Sequence, residues 1–196
     1  MTLDVVLSGL GGQGILTLAA VLVKAAVREG YDARFLAQSG LAQLGSPVLA
    51  HVRIGLPANP SPKIPKGCAS LGVALERLEA LRLLPYLAPG SRALIAKAAV
   101  RPYEARFRPD RYPSVDDVEA AFAGMGVLWI PGDDLARRHG PPVLASAVML
   151  GVIAGVTQVV DRDNLVICLR EEIPHLADLE VEAFFEGYRF VTGRDD

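Results

Sequence analysis

The sequence predicts a doubly wound α/β fold: a single Rossmann-like domain with a mostly parallel sheet and helices on both faces. Three observations predict it. Short apolar runs alternate with longer helical stretches along most of the chain. The first run passes through a four-glycine turn straight into a helix. The 196 residues, 51% hydrophobic and 21% charged, suit one domain large enough to bury a proper core.

Taken in order, residues 3–7 read as a strand, 8–14 as a tight loop and 15–28 as a helix, with Gly30 where a C-cap glycine belongs. Residues 33–37 read as the next strand, which closes a βαβ unit. A second loop rich in small residues, 39–47, leads to a strand at 48–54 that carries His51 and Arg53. Four prolines make 57–65 an extended connection. A short buried strand follows at 69–74. Residues 75–87 read as an amphipathic helix with Glu76, Arg77, Glu79 and Arg82 outward, broken by Pro89-Gly90. A strand at 92–96 comes next, then a proline- and arginine-rich excursion at 100–114. Ser114 caps a helix at 115–123, whose first turn holds Asp116 and Asp117. The last elements are a strand at 126–130, a short helix at 135–140, a long apolar helix from Pro141 to about Val159, and helices at 163–171 and 179–188. The domain spans 1–192, and 193–196 form a loose tail.

Composition narrows the function classes. A net charge of −2 and a pI near 5.9 give no reason to expect a nucleic-acid partner. The longest apolar stretch, 143–160, is short and interrupted, so no membrane span is expected. Two cysteines, Cys68 and Cys168, cannot hold an iron–sulfur cluster, which needs about four thiolates. Low cysteine use and the lack of a basic leader fit the cytoplasm. A mean hydropathy of +0.31 implies either an unusually aliphatic core or a surface covered by another subunit.

The sharpest motif is Gly9-Leu10-Gly11-Gly12-Gln13-Gly14. Gly9, Gly11 and Gly14 satisfy the G-x-G-x-x-G spacing, which lets backbone approach a ligand while a helix N-terminus offers free N–H groups. A dinucleotide site would place an acid at the end of the second strand, but Gln38 and Ser39 stand there. Three readings remain: a nicotinamide or flavin dinucleotide, a structural turn, or a loop facing a partner subunit or an anionic group of a shared substrate. His51 has no nucleophile or carboxylate in sequence reach, and reads as a hydrogen-bonded structural or interface histidine. Arg53 shares its face of the strand and could meet an anion. His139 reads as a helix-end cation.

Several blocks together resemble the gamma domain of the pyruvate/2-oxoacid:ferredoxin oxidoreductases, in particular the indolepyruvate type. They are residues 9–14 with Thr17, the Gly40-Leu41-Ala42-Gln43 loop, His51-Val52-Arg53-Ile54-Gly55, Ser61-Pro62-Lys63-Ile64-Pro65 and Glu182-Ala183-Phe184-Phe185-Glu186-Gly187. The resemblance implies a cluster-free subunit of a thiamine-diphosphate enzyme that decarboxylates a 2-oxoacid oxidatively to an acyl-CoA. Thiamine diphosphate and the iron–sulfur clusters then sit on a larger partner, ferredoxin takes the electrons through the complex, and coenzyme A is a possible shared substrate. This chain alone is expected to hold no cofactor and to catalyse nothing complete; self-association is a further expectation. Leu44 and Ser46 stand where the family usually has arginine and glycine, Ser70 where it often has aspartate, and Ser146 where it often has asparagine. The departures keep an inactive regulatory paralogue among the alternatives, beside a stand-alone dinucleotide-binding oxidoreductase. The residues assigned to the functional edge are Gly9, Gly11, Gly12, Gln13, Gly14, Thr17, Gln43 and Arg53, with both loops at the carboxyl edge of the sheet.

Overall fold

The computed structural model describes residues 2–39, 44–55, 61–100 and 112–193. The strands are β1 (Leu3–Leu10), β2 (Ala33–Ser39), β3 (Pro47–Ile54), β4 (Ala69–Ala74), β5 (Leu87–Ala96) and β6 (Gly126–Ile130). The helices are α1 (Ile15–Arg28), α2 (Arg77–Ala80), α3 (Val115–Ala121), α4 (Gly132–Ala136), α5 (Ala145–Thr157), α6 (Arg162–Glu172) and α7 (Ala177–Thr192). A 3-10 turn, Pro142–Leu144, leads into α5. Gly193 ends α7 in a left-handed conformation, and 194–196 lie outside the described residues.

The sheet order is β2-β3-β1-β4-β5-β6. β1, β4, β5 and β6 pair in parallel, whereas β3 runs antiparallel to both β1 and β2. The expected βαβ closure is therefore corrected: β2 runs the same way as β1, but β3 lies between them. Strand direction leaves no mark on composition. The return of β3 beside β2 depends on the connection between them.

Other expectations change too, among them the short helix expected at 135–140, which lies at Gly132–Ala136. The helix predicted over 75–87 is one turn, Arg77–Ala80. Beyond it the chain tightens into i→i+3 bonds such as Leu83 N–H to the Ala80 carbonyl and Tyr86 N–H to the Leu83 carbonyl. Pro85 has no N–H and cannot continue a helix. Pro89-Gly90 is not a helix break but part of β5, where the register with β4 shifts between Ala69 and Leu71.

The two faces of the sheet are covered unequally. α1, α4, α5, α6 and α7 build a large apolar cluster on one side. On the other, a smaller cluster gathers Ile64 from the segment before β4, Leu83 from the turns after α2, and Val118 and Phe122 from α3 and its C-cap. In α5 every residue from Ser146 to Ala154 is buried, so the high hydropathy is absorbed in part by this central helix. No helix among the described residues is long and apolar enough to cross a membrane.

Candidate functional site

α1, which follows β1, packs on the thick side, and α2, which follows β4, on the thin side. The connections diverge between β1 and β4. That makes the carboxyl ends of these two strands the switch point where ligands and partners meet such folds. The glycine loop lies there.

Gly14 is the N-cap of α1 with φ 80, and no side chain caps the helix. A Cβ at Gly14 would stand 2.6 Å from the Ser146 Oγ, so both its left-handed backbone and the close approach of α5 demand glycine. Gly11 donates its N–H to the Ser46 carbonyl (2.8 Å) and accepts from the Gly45 N–H (3.0 Å), which carries the β1–β3 pairing past Leu10. Gln13 is a pin. Its Oε1 accepts from the Leu10 N–H at 2.7 Å, and its Nε2 donates to the Leu75 carbonyl at 3.1 Å, tying the loop to the end of β4.

Beside the pin is a cleft of about 170 Å3 lined by Gly12, Gln13, Leu75, Val100, Asp133 and Val143. Its surroundings are apolar. Leu16, Val100 and Val143 are exposed, and Leu44, 93% exposed, reaches to 3.6 Å from where a Gly12 Cβ would be. Behind it two carboxylates are fully buried. Glu76 accepts from the Glu79 N–H (3.0 Å) and from the Tyr112 hydroxyl, and burial pushes its carboxyl above the ordinary range. Glu79 pairs with Arg82 Nε at 2.8 Å. Both acids were expected to face outward. The helix stops after one turn, so the helical period does not set their direction, and Glu76 serves as the cap of α2. The spacing of Glu76 and Glu79 is the one signal that could have marked them.

Gly11, Gly12, Gln13 and Gly14 thus share one loop, Gly9 lies in β1 opposite Val48 just before it rather than in the loop expected at 8–14, and Thr17 is half-buried in the first turn of α1. Gln43 lies outside the described residues, though Leu44, Gly45 and Ser46 do meet the glycine loop. Arg53 belongs to the other edge, a correction that follows from the antiparallel β3. It is opposite Asp4, binds that carboxylate through Nε (2.8 Å) and Nη2 (3.0 Å), and donates from Nη1 to the Ser61 carbonyl. The same Asp4 is held through its backbone by Ser70 Oγ.

His51 is fully buried, with neither ring nitrogen hydrogen-bonded among the described residues, contrary to the expected hydrogen-bonded histidine. It stacks edge-on against Tyr86 at 4.8 Å. Burial first, and Lys63 second, lower its pKa. His139 bridges Glu182 (3.1 Å) and Glu186 (3.3 Å) of α7.

The loop does not fit a dinucleotide. Gly11 has both backbone groups engaged, and β3 holds the end of β2 two strand spacings, about 10 Å, from the turn. Nor do the thiols fit a cluster. Cys68 is exposed, Cys168 is buried in α6, and no group of three His, Cys, Asp or Glu among the described residues could hold a metal ion.

The sequence profile of the pyruvate ferredoxin/flavodoxin oxidoreductase family matches residues 4–190. The chain is 29% identical over 199 aligned residues to the indolepyruvate oxidoreductase subunit IorB of Archaeoglobus fulgidus, covering 99% of this chain and 98% of that one. It is 32% identical to the subunit of that name from Thermococcus kodakarensis over 77% of this chain and 76% of the other. Among solved structures, the keto/oxoacid ferredoxin oxidoreductase gamma subunit of Geobacter sulfurreducens superposes with a TM-score of 0.72 at 20% identity, covering 98% and 99% of the two chains. The 2-oxoglutarate:ferredoxin oxidoreductase of Magnetococcus marinus, solved with 2-oxoglutarate, coenzyme A and succinyl-CoA, gives 0.76 at 16% identity. That match covers 99% of this chain and 32% of the other. At these identities the two structures speak to the fold.

Proposed function

This chain belongs to the pyruvate ferredoxin/flavodoxin oxidoreductase family, and from that membership we propose that it is the cluster-free small subunit of a 2-oxoacid:ferredoxin oxidoreductase of the indolepyruvate type. In this reading a larger partner carries the thiamine diphosphate and the iron–sulfur clusters. The assembly, in the cytoplasm, decarboxylates an aryl 2-oxoacid oxidatively, forms the acyl-CoA and passes electrons to ferredoxin. One observation carries the reading: the alignment with an indolepyruvate oxidoreductase subunit over nearly all of both chains.

The site geometry supports a docking role. A loop whose glutamine is consumed internally, and whose surroundings are exposed leucine and valine, suits contact with another polypeptide better than acid–base chemistry. Gly12, Leu16, Leu44 and Val143 form that contact, and Gln13 holds it in shape. Coenzyme A, as a shared substrate, reaches the same edge.

The test is affinity purification of the tagged chain from its native host. The expected result is a larger companion with bound thiamine diphosphate and iron–sulfur absorbance, which reduces ferredoxin with aryl pyruvates and coenzyme A only when this chain is present. An isolated chain that binds NAD(H), NADP(H) or FAD and turns over would overturn the proposal. Full activity of the companion without this chain would make it a regulatory paralogue.

A further inference from the structure

On the thin side of the sheet, α2 packs on β1, β4 and β5. A groove of about 510 Å3 opens beside it, over β2 and β3. Gln38, Pro47, Leu49, Lys66, Pro85 and Tyr86 line it, together with Arg82. We propose that this groove is a binding site for a small organic carboxylate with an aromatic or branched apolar body.

The volume lies within the roughly 300–1,000 Å3 of ordinary small-molecule sites, and the lining has their character: apolar walls and a few polar groups. Pro47, Leu49, Pro85 and the Tyr86 ring supply the apolar surface. Tyr86 is not a loose ring, since the buried His51 holds it edge-on at 4.8 Å. The charges are one-sided. Lys66 and Arg82 stand at the rim and no acid among the described residues lines the groove, although the chain as a whole carries −2. Glu79 is fully buried, and its pairing at Arg82 Nε fixes the guanidinium from behind while half of that side chain stays exposed. Gln38 adds an amide able to donate to a carboxylate oxygen. A charge-matched anion is thereby preferred over a neutral body of the same shape. None of the lining residues belongs to the glycine loop, although Pro47 pairs with Leu10 just before it, and the proposal does not depend on the reading of that loop as a subunit contact.

The test is a nuclear magnetic resonance titration of the full chain with 3-phenylpropionate, 3-phenylpropanol and acetate. Saturable shifts at the Gln38 side-chain amide and at Leu49 are expected with phenylpropionate, and much weaker ones with the alcohol and with acetate. Lys66→Gln leaves the Glu79–Arg82 pair intact and should weaken phenylpropionate about fivefold, the size of one partly exposed charge contact. Arg82→Gln should weaken it further, but strands Glu79, so the lysine variant decides if the arginine variant does not fold. Three results overturn the proposal: no saturation with phenylpropionate, equal binding of the alcohol, or shifts confined to residues 9–14. A groove that takes no probe but gains protection from hydrogen exchange in the purified complex is a subunit contact, and that too overturns it.

Discussion

The two faces of the sheet are built on different principles. On the thick side, α5 and α7 touch backbone to backbone: a Cβ at Gly187 would stand 1.9 Å from the Val148 carbonyl oxygen, and one at Gly151 1.9 Å from that of Phe184. On the thin side, one-turn α2 with the turns after it, and the short α3 with its C-cap, contribute a few large side chains, among them Leu83, Val118 and Phe122, and a groove is left over β2 and β3. The difference lies in how each side is filled: the α5–α7 contact has no room for one added methyl group and fixes the thick side, while the thin side, with its few large side chains, keeps a groove and its polar rim open.

The strongest way to break this contrast is to add one methyl group. Gly187→Ala drives a Cβ into backbone that cannot rotate away, and should destabilise the chain by about 4 kcal/mol in denaturant unfolding. Gly126→Ala in β6 meets only the Arg92 Cγ at 3.6 Å and should change little. Equal effects at the two positions would refute the account of the thick face.

Next in size is Glu180, 1% exposed on α7 with no hydrogen-bond partner for its carboxylate among the described residues. Burial pushes its pKa from 4.5 up to about 7. The folded state holds this proton more tightly than the unfolded one, so the contribution is intact below pH 4.5 and is lost as pH rises to about 7. Glu180→Gln should therefore stabilise the protein at pH 8 by up to about 3 kcal/mol, and by almost nothing at pH 4. A constant difference across that range would show that burial is not the cause.

Gln13→Ala tests the joint between the faces. It removes two hydrogen bonds and leaves the Leu10 N–H and the Leu75 carbonyl seeking partners, which should cost about 2 kcal/mol and weaken capture of the larger companion. The smallest effect is expected on the thin side. His51→Phe keeps the edge-on contact with Tyr86 and removes two unpartnered nitrogens, so stability at pH 8 should move by less than about 1 kcal/mol. With its folded pKa lowered, His51 takes up a proton more readily unfolded, so the parent should lose stability as pH falls below 6.5. The phenylalanine variant should lack that component, and thermal melts at several pH values would show it.

Most of the fold was legible because local chemistry announces it. The Ser114 cap, with its side chain and that of Asp117 exchanging backbone bonds, is a short-range signal, and the helix it opens stands where predicted. The glycine turn likewise announces a strand, a loop and a helix in sequence, and the three follow in that order. The helix expected at 75–87 failed because amphipathic spacing outweighed Pro85. With it went the directions of Glu76 and Glu79. Arg53 was assigned to the functional edge on the strength of its neighbours in sequence, and no residue near it records that β3 runs backwards.

The amino-acid order by itself determined most of the strands and helices, residues 75–91 excepted, that a glycine turn ending at Gly14 opens a helix, and that two thiols are too few for a cluster. Those properties depend on backbone sterics, capping and ligand number, all of which act within a few residues. Tertiary structure alone decided that Gln13 bonds Leu75, that Arg53 meets Asp4 at the far edge, and that Glu180 is stranded in the helical layer. Each of these joins groups distant in the chain, and their meeting follows from strand direction and helix packing, which no local pattern encodes.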